Sequence, residues 1–224
     1  MEKKTKEEKK HKEYPPYEPE TFIVSEPPTE YGSANPRIYT YADYLSWADD
    51  KRREIINGVV YDLFSAPKSW HARISMDIAA AVSWFIKKRK KGKCRVYHAP
   101  FDVRFPKKGE VANNKIYTVV QPDICVVCDP KKIDEAGCIG APDLIVEVQS
   151  PSTAKRDLQE KFKLYEESGV REYWVVYPKE KGISVFLLQG NGKYDEGTTY
   201  EFKGKVPVSI FEGLEIDLEE LFEE

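Results

Sequence analysis

Three acidic residues stand within apolar segments, where a carboxylate is costly to bury unless it is paired, hydrogen-bonded or bound to a metal. Asp123 follows Pro122 at the start of DICVVC, Glu147 lies inside LIVEV, and Glu54 opens EIINGVV. Two such carboxylates on neighbouring strands would supply the hard oxygen ligands that Mg²⁺ or Mn²⁺ prefers. The alternative is that each acid pairs with a nearby Lys or Arg, or lies in water at a strand end.

The segments that carry these acids belong to a chain in which strand and helix patterns alternate. A hairpin is predicted over 53–64, with Asn57-Gly58 at its turn. The other predicted strands span 95–105, 118–128, 143–149, 172–177, 183–188 and 198–203. The predicted helices span 40–48, 69–90 and 153–168, and Gly169 ends the last of them. Strands with nearly continuous apolar runs, alternating with helices, indicate an α/β fold built on a mixed sheet.

The composition excludes several classes of protein. The 224 residues are 41% hydrophobic and 33% charged, with a mean hydropathy of -0.59, and no apolar run approaches the ~18 residues of a membrane span. The lysine- and glutamate-rich start does not resemble a signal peptide. Four cysteines are too few for a disulfide framework in a chain of this length. We therefore expect a protein of the reducing cytoplasm that has no membrane partner.

The net charge of -3 conceals an uneven distribution along the chain. Residues 37–214 contain 29 Lys and Arg against 24 Asp and Glu, whereas the last ten residues contain six acids and no base. The mildly basic body is compatible with a nucleic-acid partner. Residues 1–36 are rich in Lys, Glu and Pro and are predicted to form a disordered or extended arm. Residues 37–224 would then form one domain.

Longer strings in the body resemble one protein family. TVVQPDICVV, APDLIVEVQSPST, RDLQEKFKLYEESGVREYWVV and APFDVRF are similar to segments of the Uma-two family of restriction endonucleases. The resemblance runs from about Tyr39 to about Phe222. Asp123 after a proline, followed about two dozen residues later by Glu147, also resembles the PD-(D/E)XK nuclease arrangement. The resemblance implies a restriction-endonuclease-like mixed sheet flanked by helices, and a metal-dependent endonuclease that hydrolyses phosphodiester bonds in DNA.

The resemblance also implies roles for particular residues. Asp123 and Glu147 would hold Mg²⁺ or Mn²⁺, together with a backbone carbonyl near Val148. Gln149 stands where the nuclease motif has a lysine, and the family's lysine lies on the following helix. Lys161 is therefore the candidate that stabilises developing negative charge or positions the attacking water. The alternative for Lys161 is a solvent-exposed pair with the acid four residues before it.

Three more residues are candidates for the same site. Glu54 matches the acid that opens the family's first hairpin and would be a third metal ligand. His71 begins the long helix and could reach the same cleft. The alternative is that its side chain only forms hydrogen bonds at the N-terminal end of the helix. Gln149 shares a strand face with Glu147 and would orient the attacking water or hydrogen-bond to the next turn.

Two other features allow weaker predictions. The basic run over residues 87–95 would contact phosphates, or form a solvated helix end favoured by the helix dipole. Cys125 and Cys128 have C-x-x-C spacing, but alternation on a strand turns the two thiols to opposite faces. Core packing is the favoured role for these cysteines, ahead of a redox or zinc site.

Other classes of function remain open at this level. A catalytically silent domain with a nuclease fold would bind nucleic acid or protein, and Gln149 in the lysine position favours that interpretation. A hydrolase acting on a small phosphorylated substrate would require a closed pocket. If the protein cuts both strands of duplex DNA, we expect a homodimer.

Overall fold

Two six-stranded sheets and one long helix make up most of the fold. The structure is a computed structural model, and it describes residues 37–63, 68–89, 93–107, 109–150 and 157–223. The predicted arm over residues 1–36 and the first residues of the helix predicted over 153–168 lie outside this described part. Among the described residues, no helix is both long and apolar enough to cross a membrane.

The first sheet contains the hairpin predicted at Asn57-Gly58. Its strands are β1 (Arg53–Ile56), β2 (Val59–Asp62), β4 (Val103–Arg104), β5 (Val119–Val120), β7 (Ile133–Asp134) and β8 (Gly137–Ile139). Their order is β2-β1-β5-β4-β8-β7, and β4 and β8 are parallel whereas the other neighbours are antiparallel. Asn57 and Gly58 both have positive φ, 51° and 85°, as a two-residue hairpin turn requires.

The second sheet is the central layer of the protein. Its strands are β3 (Arg95–His98), β6 (Ile124–Val127), β9 (Leu144–Val148), β10 (Glu172–Tyr177), β11 (Gly182–Leu187) and β12 (Thr198–Tyr200). Their order is β12-β11-β10-β9-β6-β3, and only the β9–β10 pair is parallel among these described strands. The predicted mixed sheet is therefore confirmed.

The helices in the described part of the chain lie on both sides of the second sheet. They are α1 (Tyr41–Ser46), α2 (Ser69–Arg89), α3 (Phe162–Ser168), which continues a π-helical turn at Asp157–Lys161, and α4 (Leu218–Leu221). The Thr40 side chain caps α1 in a capping box with Asp43. Gly169 ends α3 in the left-handed conformation, as its position in the sequence predicts. A separate hairpin pairs β13 (Lys205–Pro207) with β14 (Glu215–Asp217).

Strand alternation divides the core into two layers on either side of the second sheet. On one face, Val146 and Trp174 pack in a cluster with α2. On the other face, Ile145 and Tyr173 pack in a cluster with the first sheet and α3. Glu147 follows the alternation of Ile145 and so faces the first sheet and α3. The fold thus places this acid between two layers of structure.

The single strands predicted over 95–105 and 118–128 are each divided into two. β3 and β6 belong to the second sheet, whereas β4 and β5, which continue the same segments, belong to the first. The breaks fall at Pro100 and Pro122. Proline has no N–H to donate to a ladder, so neither segment continues as one central strand. Each segment therefore crosses from one sheet to the other, which the apolar pattern alone does not indicate.

The cysteines differ in part from the expectation of simple core packing. Cys125 is free and buried, as predicted, and Cys138 is also free and buried. Cys94 and Cys128, however, form a disulfide that joins positions immediately beyond paired β3 and β6. The register of the two strands places these cysteines opposite each other, although they are 34 residues apart in sequence. Spacing in the sequence does not reveal such a pair.

A buried glutamate at the start of β10 forms hydrogen bonds with the loop that contains Ser209 and Ile210. Glu172 is fully buried and accepts hydrogen bonds from Trp174 Nε1 (2.8 Å), Ser209 N (3.0 Å) and Ile210 N (2.9 Å). Burial raises the pKa of Glu172, and the three donors oppose that shift. The carboxylate therefore provides the acceptor for one buried donor, the Trp174 indole N–H, and for two part-buried backbone N–H groups.

We expect Glu172→Ala to lower the free energy of unfolding by about 3 kcal/mol, because it leaves the buried Trp174 N–H without its acceptor, at a cost of roughly 1–3 kcal/mol, and removes two further hydrogen bonds to a charged group. Urea denaturation measures the change. Glu172→Gln retains one acceptor oxygen and should lose less stability than Glu172→Ala. Equal losses in the two variants would show that the hydrogen bonds are not the source of the effect.

Candidate functional site

Two glutamates and a lysine from distant segments meet between the two sheets. Lys161 Nζ lies 2.9 Å from Glu54 Oε1 and 2.9 Å from Glu147 Oε1. Glu54 is 0% exposed, and Glu147 and Lys161 are each 4% exposed. A buried charge without a partner is strongly unfavourable, so the three side chains depend on one another for their burial. We call Glu54, Glu147 and Lys161 the buried triad.

The π-helical turn before α3 places Lys161 at this position. Asp157–Lys161 form the turn, and Phe162–Ser168 continue as α-helix. A π-turn changes the direction in which the neighbouring side chains point relative to an α-helix. Such turns are frequent at functional sites. Lys161 therefore points into the space between the sheets and is buried there, whereas the alternative interpretation places it in solvent.

A tyrosine on the same helix completes the contacts of Glu147. The Tyr165 hydroxyl donates to Glu147 Oε1 at 2.7 Å, the same oxygen that contacts Lys161. Tyr165 is fully buried, and burial together with the charges of Glu147 and Glu54 raises the pKa of its phenol well above the ordinary value. The phenol therefore stays protonated and remains a donor. In the sequence, Tyr165 lies on an apolar helix face, which predicts core packing; its position four residues after Lys161 is the signal that places both side chains together.

Asp123 lies beside the triad at the start of β6. Ile124 pairs with Val146 in the antiparallel register of β6 and β9, so the next pair outward is Asp123 and Glu147. Directly opposite residues in such a pair point to the same face of the sheet. The Val148 N–H donates to Asp123 Oδ2 at 2.7 Å, which fixes the carboxylate against β9. The two predicted metal-binding acids are thus neighbours.

The beginning of α2 brings His71 to the same place. His71 Nε2 lies 3.2 Å from Asp123 Oδ2, and both side chains are partly exposed, 13% and 21%. The site therefore has a buried side, formed by the triad, and a solvent-accessible side, formed by His71 and Asp123. Gln149 lies one residue beyond β9 and is half-buried; its backbone N–H donates to Val176 O at 2.9 Å.

A polar network behind the first sheet supports Glu54. The Gln121 N–H donates to Glu54 Oε1 at 2.9 Å, and the Gln121 side-chain amide donates to Asp102 Oδ1 at 2.9 Å. Asp102 also accepts hydrogen bonds from the hydroxyls of Tyr41 and Tyr44 on α1. Burial and the nearby Asp102 carboxylate raise the pKa of Tyr44 to about 12, so its hydroxyl remains a donor. The contact of Gln121 with Glu54 is made by a backbone N–H and therefore has no signal in the sequence.

The donor set fits a hard divalent cation. Mg²⁺ is usually held by one or two carboxylates, with waters and substrate phosphates completing its shell, and does not require a cage made only of protein ligands. Asp123 and Glu147 are two such carboxylates on adjacent strands. Within the described ranges, no group of three or more His, Cys, Asp or Glu side chains is arranged to hold a metal ion. Glu54 contacts Lys161, so the ammonium group lies between the two glutamates.

A mixed α/β fold with an aspartate and a glutamate on adjacent strands, and a lysine beside them, defines the restriction-endonuclease-like class of folds. The comparisons with known proteins agree. The family model Uma2, described as "Putative restriction endonuclease", matches residues 41–219. The chain therefore belongs to the Uma2, or Uma-two, family.

Two individual proteins are similar to this chain. A crystal structure from Anabaena variabilis ATCC 29413, described as "a putative nuclease belonging to DUF820", has a TM-score of 0.64 and 20% identity, and the match covers 82% of this chain and 97% of that chain. At this identity the likeness shows the fold. The uncharacterized protein slr1290 of Synechocystis sp. is 27% identical over 155 residues, which is 68% of this chain and 75% of the relative. The family supports a nuclease role.

Proposed function

We propose that the protein is a metal-dependent endonuclease that hydrolyses phosphodiester bonds in DNA. The observation that carries the proposal is the convergence of the buried triad with Asp123 at the edge of the second sheet. A carboxylate pair beside a lysine provides ligands for a divalent cation and a positive charge for a phosphate. Membership of the Uma-two family supports the same activity.

Asp123 and Glu147 are the residues that would hold Mg²⁺ or Mn²⁺. The metal would polarise the scissile phosphate and lower the pKa of a bound water. The Val148 N–H and His71 Nε2 both contact Asp123 Oδ2, and they keep that carboxylate turned towards β9. Gln149 is close enough in sequence to Glu147, and on the same strand face, to orient a water at the accessible side of the site.

Lys161 would stabilise the negative charge that develops on the phosphate. Glu54 holds its ammonium group at 2.9 Å and is in turn fixed by the Gln121 N–H. In this role Glu54 acts on the lysine, whereas Glu147 contacts the lysine and would also be a ligand of the metal. The low exposure of the triad strengthens each of these electrostatic contacts, since little water competes for them.

The test is a cleavage assay with supercoiled plasmid, linear duplex, single-stranded DNA and single-stranded RNA. Each substrate is incubated with Mg²⁺, Mn²⁺ or EDTA, and the Asp123→Ala variant is assayed in parallel. We expect the wild type to cut DNA with either metal, and expect no cutting with EDTA or by the variant. Equal cutting by both proteins would contradict the assigned site, and preferential cutting of RNA would correct the substrate.

If the wild type cuts none of the four substrates, the catalytically silent binding domain becomes the better explanation. Fluorescence anisotropy with a labelled duplex then measures binding directly. A binding domain would bind the duplex with an affinity that falls steeply as salt increases, since phosphate contacts release counterions.

A further inference from the structure

Glu147 accepts two hydrogen bonds on one oxygen, and the two donors differ in charge. Lys161 Nζ and the Tyr165 hydroxyl contact Oε1 at 2.9 Å and 2.7 Å. Both donors come from the same helical segment, four residues apart, so they lie on one face of it. The charged donor neutralises the carboxylate, whereas the neutral donor orients the carboxylate and leaves its negative charge available.

The surroundings of Tyr165 make it a rigid donor. Its ring lies 5.0 Å from the Tyr173 ring and 6.0 Å from the Phe105 ring, which come from the second and the first sheet. The residue is 0% exposed. Because two layers of structure fix the ring, its hydroxyl has a fixed position relative to β9. Lys161 has a longer side chain with four rotatable bonds, so its ammonium group can change partner more readily than the Tyr165 hydroxyl.

We propose that Tyr165 is a positioning residue for Glu147, and that it holds the carboxylate in its metal-binding orientation when Lys161 turns from Glu147 towards the substrate phosphate. The inference rests on the proposed function. Its physical basis is that a lysine cannot fully neutralise a carboxylate and a phosphate at once, so the metal ligand needs a second support. Partners that orient a metal ligand in this way typically change metal affinity or activity 10–100-fold when they are removed.

The test measures Mn²⁺ affinity of the full-length protein by electron paramagnetic resonance, without substrate. Tyr165→Phe removes the hydroxyl and retains the ring. We expect its Kd for Mn²⁺ to rise about 10–100-fold, and the metal concentration that half-saturates DNA cleavage to rise in parallel. Circular dichroism and thermal unfolding establish that the variant is folded.

Tyr194→Phe is the matched control. Tyr194 packs in the same aromatic cluster, 6.3 Å from Tyr173, and its buried hydroxyl donates to a backbone carbonyl, Val170 O, at 2.9 Å. This variant should lose similar thermal stability but bind Mn²⁺ as the wild type does. Equal weakening of Mn²⁺ binding in both variants would show a general packing effect and would overturn the positioning role.

Two other outcomes separate the inference from the function on which it rests. If the wild type binds Mn²⁺ and cuts DNA, and Tyr165→Phe does both within twofold of the wild type, the positioning role is wrong and the nuclease proposal stands. If the wild type neither binds Mn²⁺ nor cuts DNA, the proposed function fails, and the inference about Tyr165 fails with it.

Discussion

Replacement of Lys161 by methionine is expected to lower the free energy of unfolding by about 3–5 kcal/mol and to abolish DNA cleavage. Methionine is similar in length and suits a buried position, but it leaves Glu54 and Glu147 without the cation between them. Removing one partner of a buried ion pair leaves an uncompensated charge and has a cost of this size. For a domain of this length, Tm should fall by about 6–20 °C, which differential scanning calorimetry measures.

Lys163→Met is the matched control for this experiment. Lys163 lies on the same helix, but its side chain is 74% exposed and pairs with Glu167 at 3.8 Å. An exposed pair contributes about 0–1 kcal/mol, so this variant should retain both stability and cleavage. If the two methionine variants unfold at the same temperature, the buried triad does not depend on its lysine.

A second substitution separates the structural effect from the catalytic effect. Glu54→Gln in the Lys161→Met background removes one of the two stranded negative charges. We expect it to recover part of the lost stability, while cleavage stays absent because no cation faces the phosphate. Recovery of cleavage in the double variant would contradict the proposed role of Lys161.

Asp123→Ala is expected to reduce cleavage by at least about 10³-fold and to abolish strong Mn²⁺ binding. A metal ligand contributes through the metal's polarisation of the phosphate, which supplies several kcal/mol of transition-state stabilisation. The fold should tolerate the change: Asp123 is partly exposed, and the loss of its bond from Val148 N costs about 1 kcal/mol. Titration calorimetry with Mn²⁺ measures binding, and a gel assay measures cleavage.

Asp143, at the opposite end of the β6–β9 pair, is the matched control for Asp123. Asp143 precedes β9 and accepts the Cys128 N–H at 2.8 Å, which is the same kind of contact that Asp123 makes with Val148. Asp143→Ala should have a similar effect on stability and leave Mn²⁺ binding and cleavage unchanged. If Asp123→Ala binds Mn²⁺ as tightly as the wild type, the assignment of the metal ligand is wrong.

The sequence predicts which residues belong to the candidate site better than it predicts which of them are in contact. Buried-looking acids at positions 54, 123 and 147 were identified from their apolar neighbours, and Lys161 was identified through the family resemblance. The structure brings Glu54, Glu147 and Lys161 into contact and places Asp123 beside them. Their catalytic and metal-binding roles remain predictions, which the variants above test.

Other features of the site cannot be predicted from the sequence. Tyr165 lies on an apolar helix face, and that pattern predicts only core packing, because the acceptor of its buried hydroxyl, Glu147, belongs to a strand. Gln121 acts through its backbone N–H, which every residue except proline possesses. The segments 95–105 and 118–128 are each divided between two sheets, which depends on the strands beside them. The prolines in these segments are the signal in the sequence for where each strand ends.

By itself, the sequence determined the local elements, the α/β class and the family of this protein. The hairpin turn at Asn57-Gly58, the cap at Thr40 and the helix end at Gly169 each depend on the backbone preferences of a few adjacent residues. Only the tertiary structure decided that the buried triad forms, since its members are separated by 93 and 14 positions along the chain. Contacts at such separations follow from sheet order, strand register and layer packing, which are properties of the whole fold.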